Sequence, residues 1–255
     1  MRPACTVLAL ALGVLSCEPR LTVGEWKCSP NGAPDAVPDQ TAPIAVPWST
    51  SFENRFCDYT EVAGFCYLGE PATYSTVTTP AHSGGHAAAF AVKAGDPVGH
   101  QARCVRQGVL PKAAYYGAWY FIPSLAENSA VWNLWHFQGG DPSAQHGLWD
   151  LSLVNRNGGL QVVLYDFLGG MGREPSTPAP VPIGSWVHWE FYLSRAADAT
   201  GEVALYQDGQ LLIQATNIVT DDTNWGQWYV GNFATGLIPA ESTLYVDDVT
   251  ISVTR

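Results

Sequence analysis

The sequence predicts an all-β protein built as a two-sheet antiparallel sandwich. Three observations carry this. Gly, Pro and aromatic residues are plentiful, while charged residues make up 14% of the 255-residue chain, a composition that suits strands and tight turns better than helices. Short alternating runs of apolar and polar residues recur along the chain, each closed by Gly, Pro, Asn or Asp. Asp208-Gly209 separates two such runs, and both residue types tolerate the positive φ of a two-residue hairpin. The length fits one β domain.

The elements follow in order. Arg2 and the apolar run 6–16 read as an export signal, because the run is too short to span a bilayer. Val14-Leu15-Ser16-Cys17 resembles a bacterial lipobox. That likeness implies cleavage before Cys17 and a lipid on it, with Glu18 favouring the outer membrane; plain secretion is the alternative. The expected organisation is a signal peptide at 1–16, a Pro- and Ala-rich tether at 17–47 and a folded domain at 48–255. Cys28, Cys57, Cys66 and Cys104 are an even set in an exported chain, which implies disulfides. Of three connectivities we favour Cys57–Cys66 with Cys28–Cys104.

Strands are expected at 73–78, 87–93 and 101–107, the last with Arg103 and Arg106 on opposite faces. The aromatic centre supplies three more at 115–122, 131–138 and 148–155. Strict alternation in the second of these places Asn133, Trp135 and Phe137 on one face and Trp132, Leu134, His136 and Gln138 on the other. A short helix is expected at 124–129. Strand 159–167 is followed by a Pro-rich loop at 171–184. Strands at 186–193, 203–207, 211–216, 227–233 and 243–253 complete the chain. In the last one Tyr245, Asp247, Val249 and Ile251 are expected on the core face, where Asp247 needs a partner. The number of strands and the lack of a Cys…Trp…Cys spacing favour a jelly roll over an immunoglobulin-like sandwich.

A formal net charge of -11 argues against nucleic acid or an anionic membrane surface as partner. Membrane attachment is expected only through the N-terminal lipid, and the protein is expected to be a monomer. No nucleophile elbow, metal-ligand spacing or phosphate-binding glycine loop is present. Asp150 and Glu190 lack the signature of jelly-roll hydrolases.

Two resemblances add to this reading. Ser51-Phe52-Glu53, the stretch HSGGHAAAF and the closing YVDDVTI are similar to carbohydrate-binding jelly rolls. In many of these a calcium ion joins the first and last strands. The likeness implies Glu53 and Asp247 or Asp248 as structural Ca2+ ligands; a hydrogen-bonded acidic pair without metal is the alternative. Residues 101–233, with YYGAWYFIP, NLWHFQGGD and PIGSWVHWEFYL, resemble the glucuronan-lyase-like polysaccharide lyases. Those are concanavalin A-like jelly rolls, related in shape to heparin and alginate lyases.

The second resemblance implies a lyase that splits uronic-acid glycans by β-elimination. It makes His136 the base, Tyr229 or Tyr165 the acid, and Arg103 or Arg156 the partner of the substrate carboxylate. The family's glutamine is replaced by Leu134, with Gln138 as a substitute, and Val105 stands where an acid is common. The competing reading is a non-catalytic carbohydrate binder. It uses Trp132, His136, Gln138, Trp186, His188 and Trp228, since rings stack on sugar faces; about half of the Trp residues are expected in the core. A third reading is a surface adhesion protein that uses the fold as a scaffold.

Overall fold

The computed structural model describes residues 21–23, 42–60, 63–69, 71–128, 131–141, 144–221, 223 and 225–255. The export signal, the lipobox-like Cys17, most of the tether and Cys28 lie outside the described residues. From residue 42 the chain packs on the sandwich: Val109 donates its N–H to the Ala42 carbonyl, Ile44 donates to Val109, and Ile44 is buried.

The elements in chain order are β1 (Leu21–Val23), β2 (Trp48–Thr50), α1 (Cys57–Thr60), β3 (Gly64–Gly69), β4 (Ala72–Val77), β5 (Ala87–Lys93) and β6 (His100–Val109). Then come β7 (Ala113–Phe121), β8 (Glu127–Asn128), β9 (Trp132–Asp141), β10 (Ala144–Arg156), β11 (Gly159–Asp166) and β12 (Met171–Arg173). The chain closes with β13 (Trp186–Ser194), β14 (Gly201–Gln207), β15 (Gln210–Ile218), β16 (Trp225–Ala234), β17 (Leu237–Ile238) and β18 (Glu241–Ser252). The first sheet runs β1-β3-β6-β16-β9-β10-β11-β12. The second runs β15-β14-β13-β7-β18-β5-β4, with β2 also on β18. The pairings within both sheets are antiparallel.

The alternation of the sequence explains the layers. In β13 Val187, Trp189, Phe191 and Leu193 point into the core, and Trp186, His188, Glu190 and Tyr192 point out, as the sequence predicts. In β6 Ala102, Cys104 and Arg106 face inward, and Arg103, Val105 and Gln107 face away from the second sheet. The core between the sheets is largely aromatic, holding Trp132, Trp135, Trp149, Trp189 and Trp228 with Phe137 and Phe191. Arg106 is in it too, with its guanidinium over the Trp48 ring at 4.8 Å. Burial holds its pKa down to about 10.

Five expectations are corrected. The helix expected at 124–129 is not present in its described part, 124–128: β8 starts at Glu127 and pairs with β17, and the one α-helical turn among the described residues is α1. The Pro-rich loop begins with a strand, since Met171–Arg173 pairs with β11. The disulfide of Cys66 is to Cys104, its direct cross-strand partner between β3 and β6, and not to Cys57. Cys57 is also disulfide-bonded. In β18 the inward residues are Leu244, Val246, Val249 and Ile251, and Tyr245 points out. A bulge between Asp247 and Thr250, with Asp248 at φ 44°, reverses the alternation. In β9 a second irregularity breaks the alternation near Asn133, so Trp132, Leu134, Trp135 and Phe137 all enter the core.

Candidate active site

On the face of the first sheet that turns away from the second, four strands place polar side chains in one row. Val105 of β6 pairs with Tyr229 of β16, Tyr229 with His136 of β9, His136 with Asp150 of β10, and Asp150 with Tyr165 of β11. The His136 Nδ1 hydrogen-bonds Asp150 Oδ1. Both side chains keep a solvent-facing edge, at 12% and 17% exposure. An ionised carboxylate on Nδ1 fixes the Nδ1–H tautomer and leaves Nε2 free as a proton acceptor. The tautomer follows from the partner, as hydrogens themselves are assigned by chemistry.

The Tyr229 ring lies 5.4 Å from the His136 ring. Its hydroxyl is 2.8 Å from Gln138 Oε1 and also contacts Gln227 Oε1. Gln227 in turn donates to Gln107 Oε1 at 2.8 Å. A hydroxyl has one proton, so Tyr229 donates to one of these two amide oxygens at a time. Burial pushes the Tyr229 phenol well above its ordinary value; Tyr67 adds to this and Arg103 opposes it. Tyr229 therefore stays protonated through neutral pH.

Arg103 closes the site on the β6 side. It donates to Asn133 Oδ1 and lies over the rings of Tyr229, at 5.7 Å, and Phe233, at 4.8 Å. Asn133 is pinned by its amide N–H groups on the Trp135 and Leu151 carbonyls. Among the described residues no carboxylate lies within ion-pair distance of Arg103, although it is 6% exposed, and its Nε has no hydrogen-bond acceptor. On the other flank Phe167 sits 5.8 Å from His136 and 4.8 Å from Tyr165, and the two aromatic side chains are partly exposed. Gly147 makes room for Phe167, since a Cβ there would stand 3.0 Å from its ring.

The structure thus brings together His136, Tyr229, Gln138 and Arg103, with Tyr165 at the end of the row. Tyr165 is two strands from His136, roughly 10 Å at ordinary strand spacing, whereas Tyr229 touches it. Leu134 is in the core, so Gln138 is the amide two residues along the strand from His136. Other expected residues are elsewhere. Trp132 and Trp228 are core residues and offer no sugar platform: Trp132 donates to Asn232 Oδ1 at 3.2 Å, and Trp228 stacks on Phe137. Trp186 and His188 lie on the outer face of the second sheet, where Trp119 stacks between His188 and His82. Arg156 pairs with Glu174 at 2.8 Å, at the end of the β10–β11 hairpin.

Sequence reasoning missed Asp150 as the partner of His136, and also Gln227, Gln107 and Asn133. The strand 148–155 was visible, but the residue opposite His136 depends on hairpin register, which is shifted by bulges near Gly147 and Leu151. Two hollows, of about 510 Å³ beside Arg195 and Asp221 and about 450 Å³ over Thr73, Ala91 and Thr243, lie outside this row. Each is lined by an ion pair, Arg195 with Asp221 in the first and Lys93 with Glu241 in the second.

The residues expected to hold calcium meet one loop, 82–86. Asp247 Oδ2 accepts from the His82 and Ser83 N–H groups at 2.9 and 3.2 Å, and Asp248 takes His82 Nδ1 at 2.6 Å and Ser83 Oγ at 2.8 Å. Glu53 accepts from the Gly85 and His86 N–H groups at 2.7 and 2.9 Å. These contacts hold the Glu53 carboxyl below its ordinary value, His86 contributing most. The three carboxylates thus accept from backbone N–H groups and from the Ser83 hydroxyl, and His82 and His86 ring nitrogens lie within hydrogen-bond distance of Asp248 and Glu53.

No family model matches the sequence, and no curated protein matches it. Solved structures do. A glucuronan lyase from the fungus Trichoderma reesei superposes with a TM-score of 0.59 at 18% identity, covering 74% of this chain and 90% of that one. The cellulose-induced protein Cip1 gives 0.54 at 15% identity, over 81% and 97%. An alginate lyase from Aplysia kurodai gives 0.52 at 13% identity, over 81% and 99%. At these identities the likeness is one of fold: the chain is a two-sheet jelly roll of the kind found in glucuronan and alginate lyases.

Proposed function

We propose that this protein is an exported polysaccharide lyase that cleaves a uronic-acid glycan by β-elimination at His136. The observation that carries the reading is the row Tyr229–His136–Asp150 with Arg103 beside it. It supplies a base, an acid and a carboxylate partner on one face of one sheet. The Cys66–Cys104 disulfide supports an oxidising compartment, and the lipobox-like start supports export.

The chemistry follows from these groups. Arg103 and the amide of Gln138 neutralise the uronate carboxylate, which lowers the cost of carbanion character at C5. His136 Nε2 takes the C5 proton while Asp150 balances the imidazolium that forms. The C5–H electron pair becomes the C4=C5 double bond. The C4–O4 bond breaks, and the Tyr229 hydroxyl protonates the departing O4. No water is consumed, and one new chain end carries the unsaturated sugar. The proton held on the His136 imidazolium then passes to the Tyr229 phenolate, whose ring lies 5.4 Å away, and both groups return to their starting forms.

The test is ultraviolet absorbance of the unsaturated product, with a panel of uronic-acid polymers. The expected result is a rise that is lost in His136→Ala. No rise on any polymer, together with retention on a neutral-glycan affinity gel, would replace the reading by a non-catalytic binder.

A further inference from the structure

Lyases of anionic homopolymers face a carboxylate on every sugar, so each subsite needs a counter-charge. Here the lining is different. Nine Lys or Arg residues fall among the described residues. Eight of them are accounted for away from the site or are already paired with acids. Lys93 pairs with Glu241, Arg156 with Glu174, Arg173 with Asp166, Arg195 with Asp221 and Arg255 with Glu190. Arg106 is in the core, and Lys112 is beside the hollow at Arg195. Arg55 follows α1's entry loop and is exposed. Of the nine, Arg103 alone lines the row. Its neighbours are neutral amides and rings: Gln101, Gln107, Gln138, Gln227, Tyr67 and Tyr229. The single acid in the row, Asp150, is paired to His136. Past it the surface turns apolar, with Tyr165, Phe167, Leu168 and Met171 exposed.

We infer that the substrate carries isolated uronates between neutral sugars, one carboxylate meeting Arg103 while the flanking sugars meet amides and aromatic rings. This rests on the lyase reading above and specifies its substrate class. A buried guanidinium without a carboxylate is costly, and one incoming uronate completes it. A second or third carboxylate finds no further cation in the row among the described residues and approaches a chain of net charge -11. The neutral neighbours suit the rest: amides hydrogen-bond hydroxyls, and the rings of Tyr165 and Phe167 take a sugar face.

The experiment uses the full chain and measures kcat/KM by product absorbance at two ionic strengths. One substrate is a glycan alternating glucuronate with N-acetylglucosamine; the other is a homopolymer, alginate or glucuronan. The expected result is a higher kcat/KM on the alternating glycan. On the homopolymer kcat/KM is expected to rise with salt, because salt screens repulsion that no cation offsets. Tyr165→Arg, at an exposed position, is expected to raise kcat/KM on the homopolymer about fivefold, the size of one exposed ion pair, and to lower it on the alternating glycan, because the ring that takes a neutral sugar is lost. A homopolymer cut faster, with a rate that falls as salt rises, overturns the inference and leaves the lyase reading standing. No product from either polymer overturns both.

Discussion

At the scale of single residues the site turns on one hydrogen bond, His136 to Asp150. Asp150→Asn keeps the shape but removes the charge that balances the imidazolium and selects the tautomer. We expect kcat to fall by about 10²-fold, within the range of general acid–base catalysis, with KM little changed. Nitrogen NMR of the imidazole checks the cause: the Nδ1–H form is expected in the parent and a mixed tautomer in the variant. Equal NMR signatures would refute the orienting role. Tyr229→Phe removes the proton donor while keeping the ring on Tyr67 and His136, so activity is lost and melting temperature is held. His136 was legible in the sequence because a histidine between Trp135 and Phe137 stands out in an alternating strand. Asp150 was not, because nothing local says which carboxylate lies across a hairpin.

At the scale of elements, bulges decide which side chains reach the site. The β9–β16 pairing shifts between Val230 and Phe233, and Gly231 occupies φ 143° there, where a Cβ would meet the Ala102 carbonyl and the Arg103 Cα. Gly231→Ala is therefore expected to lower stability by about 1–3 kcal/mol and to disturb Arg103; calorimetry and activity read the two effects. A melting temperature equal to the parent's would show that the bulge relaxes freely. The disulfide holds β3 to β6 across 38 residues of sequence, and β3 carries Tyr67, which packs on Tyr229. Replacing Cys66 and Cys104 by Ala is expected to remove about 2–4 kcal/mol. The sequence predicted most strands within a few residues, since periodicity and turn residues are local signals. It missed β3, which begins and ends at Gly, and the two- and three-residue strands β1, β2, β8, β12 and β17, and it gave β9 and β18 a strict alternation that the bulges break.

At the scale of the whole molecule, buried tyrosines set the alkaline limit. Tyr59, Tyr116, Tyr120 and Tyr229 all have phenols raised above their ordinary value, each mainly by burial. Folding favours their protonated forms. That stability is fully present below the unfolded value, about pH 10, and is lost as pH rises beyond it. Denaturant melts are expected to be flat across neutral pH and to weaken above about pH 10; a fall that begins several units lower would point to other groups. Chelation tests the sheet-closing loop: because Glu53, Asp247 and Asp248 are held by backbone and side-chain groups of 82–86, EGTA is expected to leave the melting temperature unchanged. A drop of several degrees would restore calcium as the link between the first and last strands.

The sequence by itself determined the layered β architecture and the inward and outward faces of most strands, because these depend on period-two patterning and turn chemistry within a few residues, while His136 as candidate base came from the resemblance to lyases. It also carried the likeness to lyase jelly rolls in the run 101–233. Only the tertiary structure decided that Trp132 and Trp228 are core while His136 and Tyr229 meet, that Cys66 faces Cys104, and that Arg103 has no carboxylate among the described residues. Those facts depend on register between strands far apart in sequence, and a shift of one residue moves a side chain to the other face of its sheet.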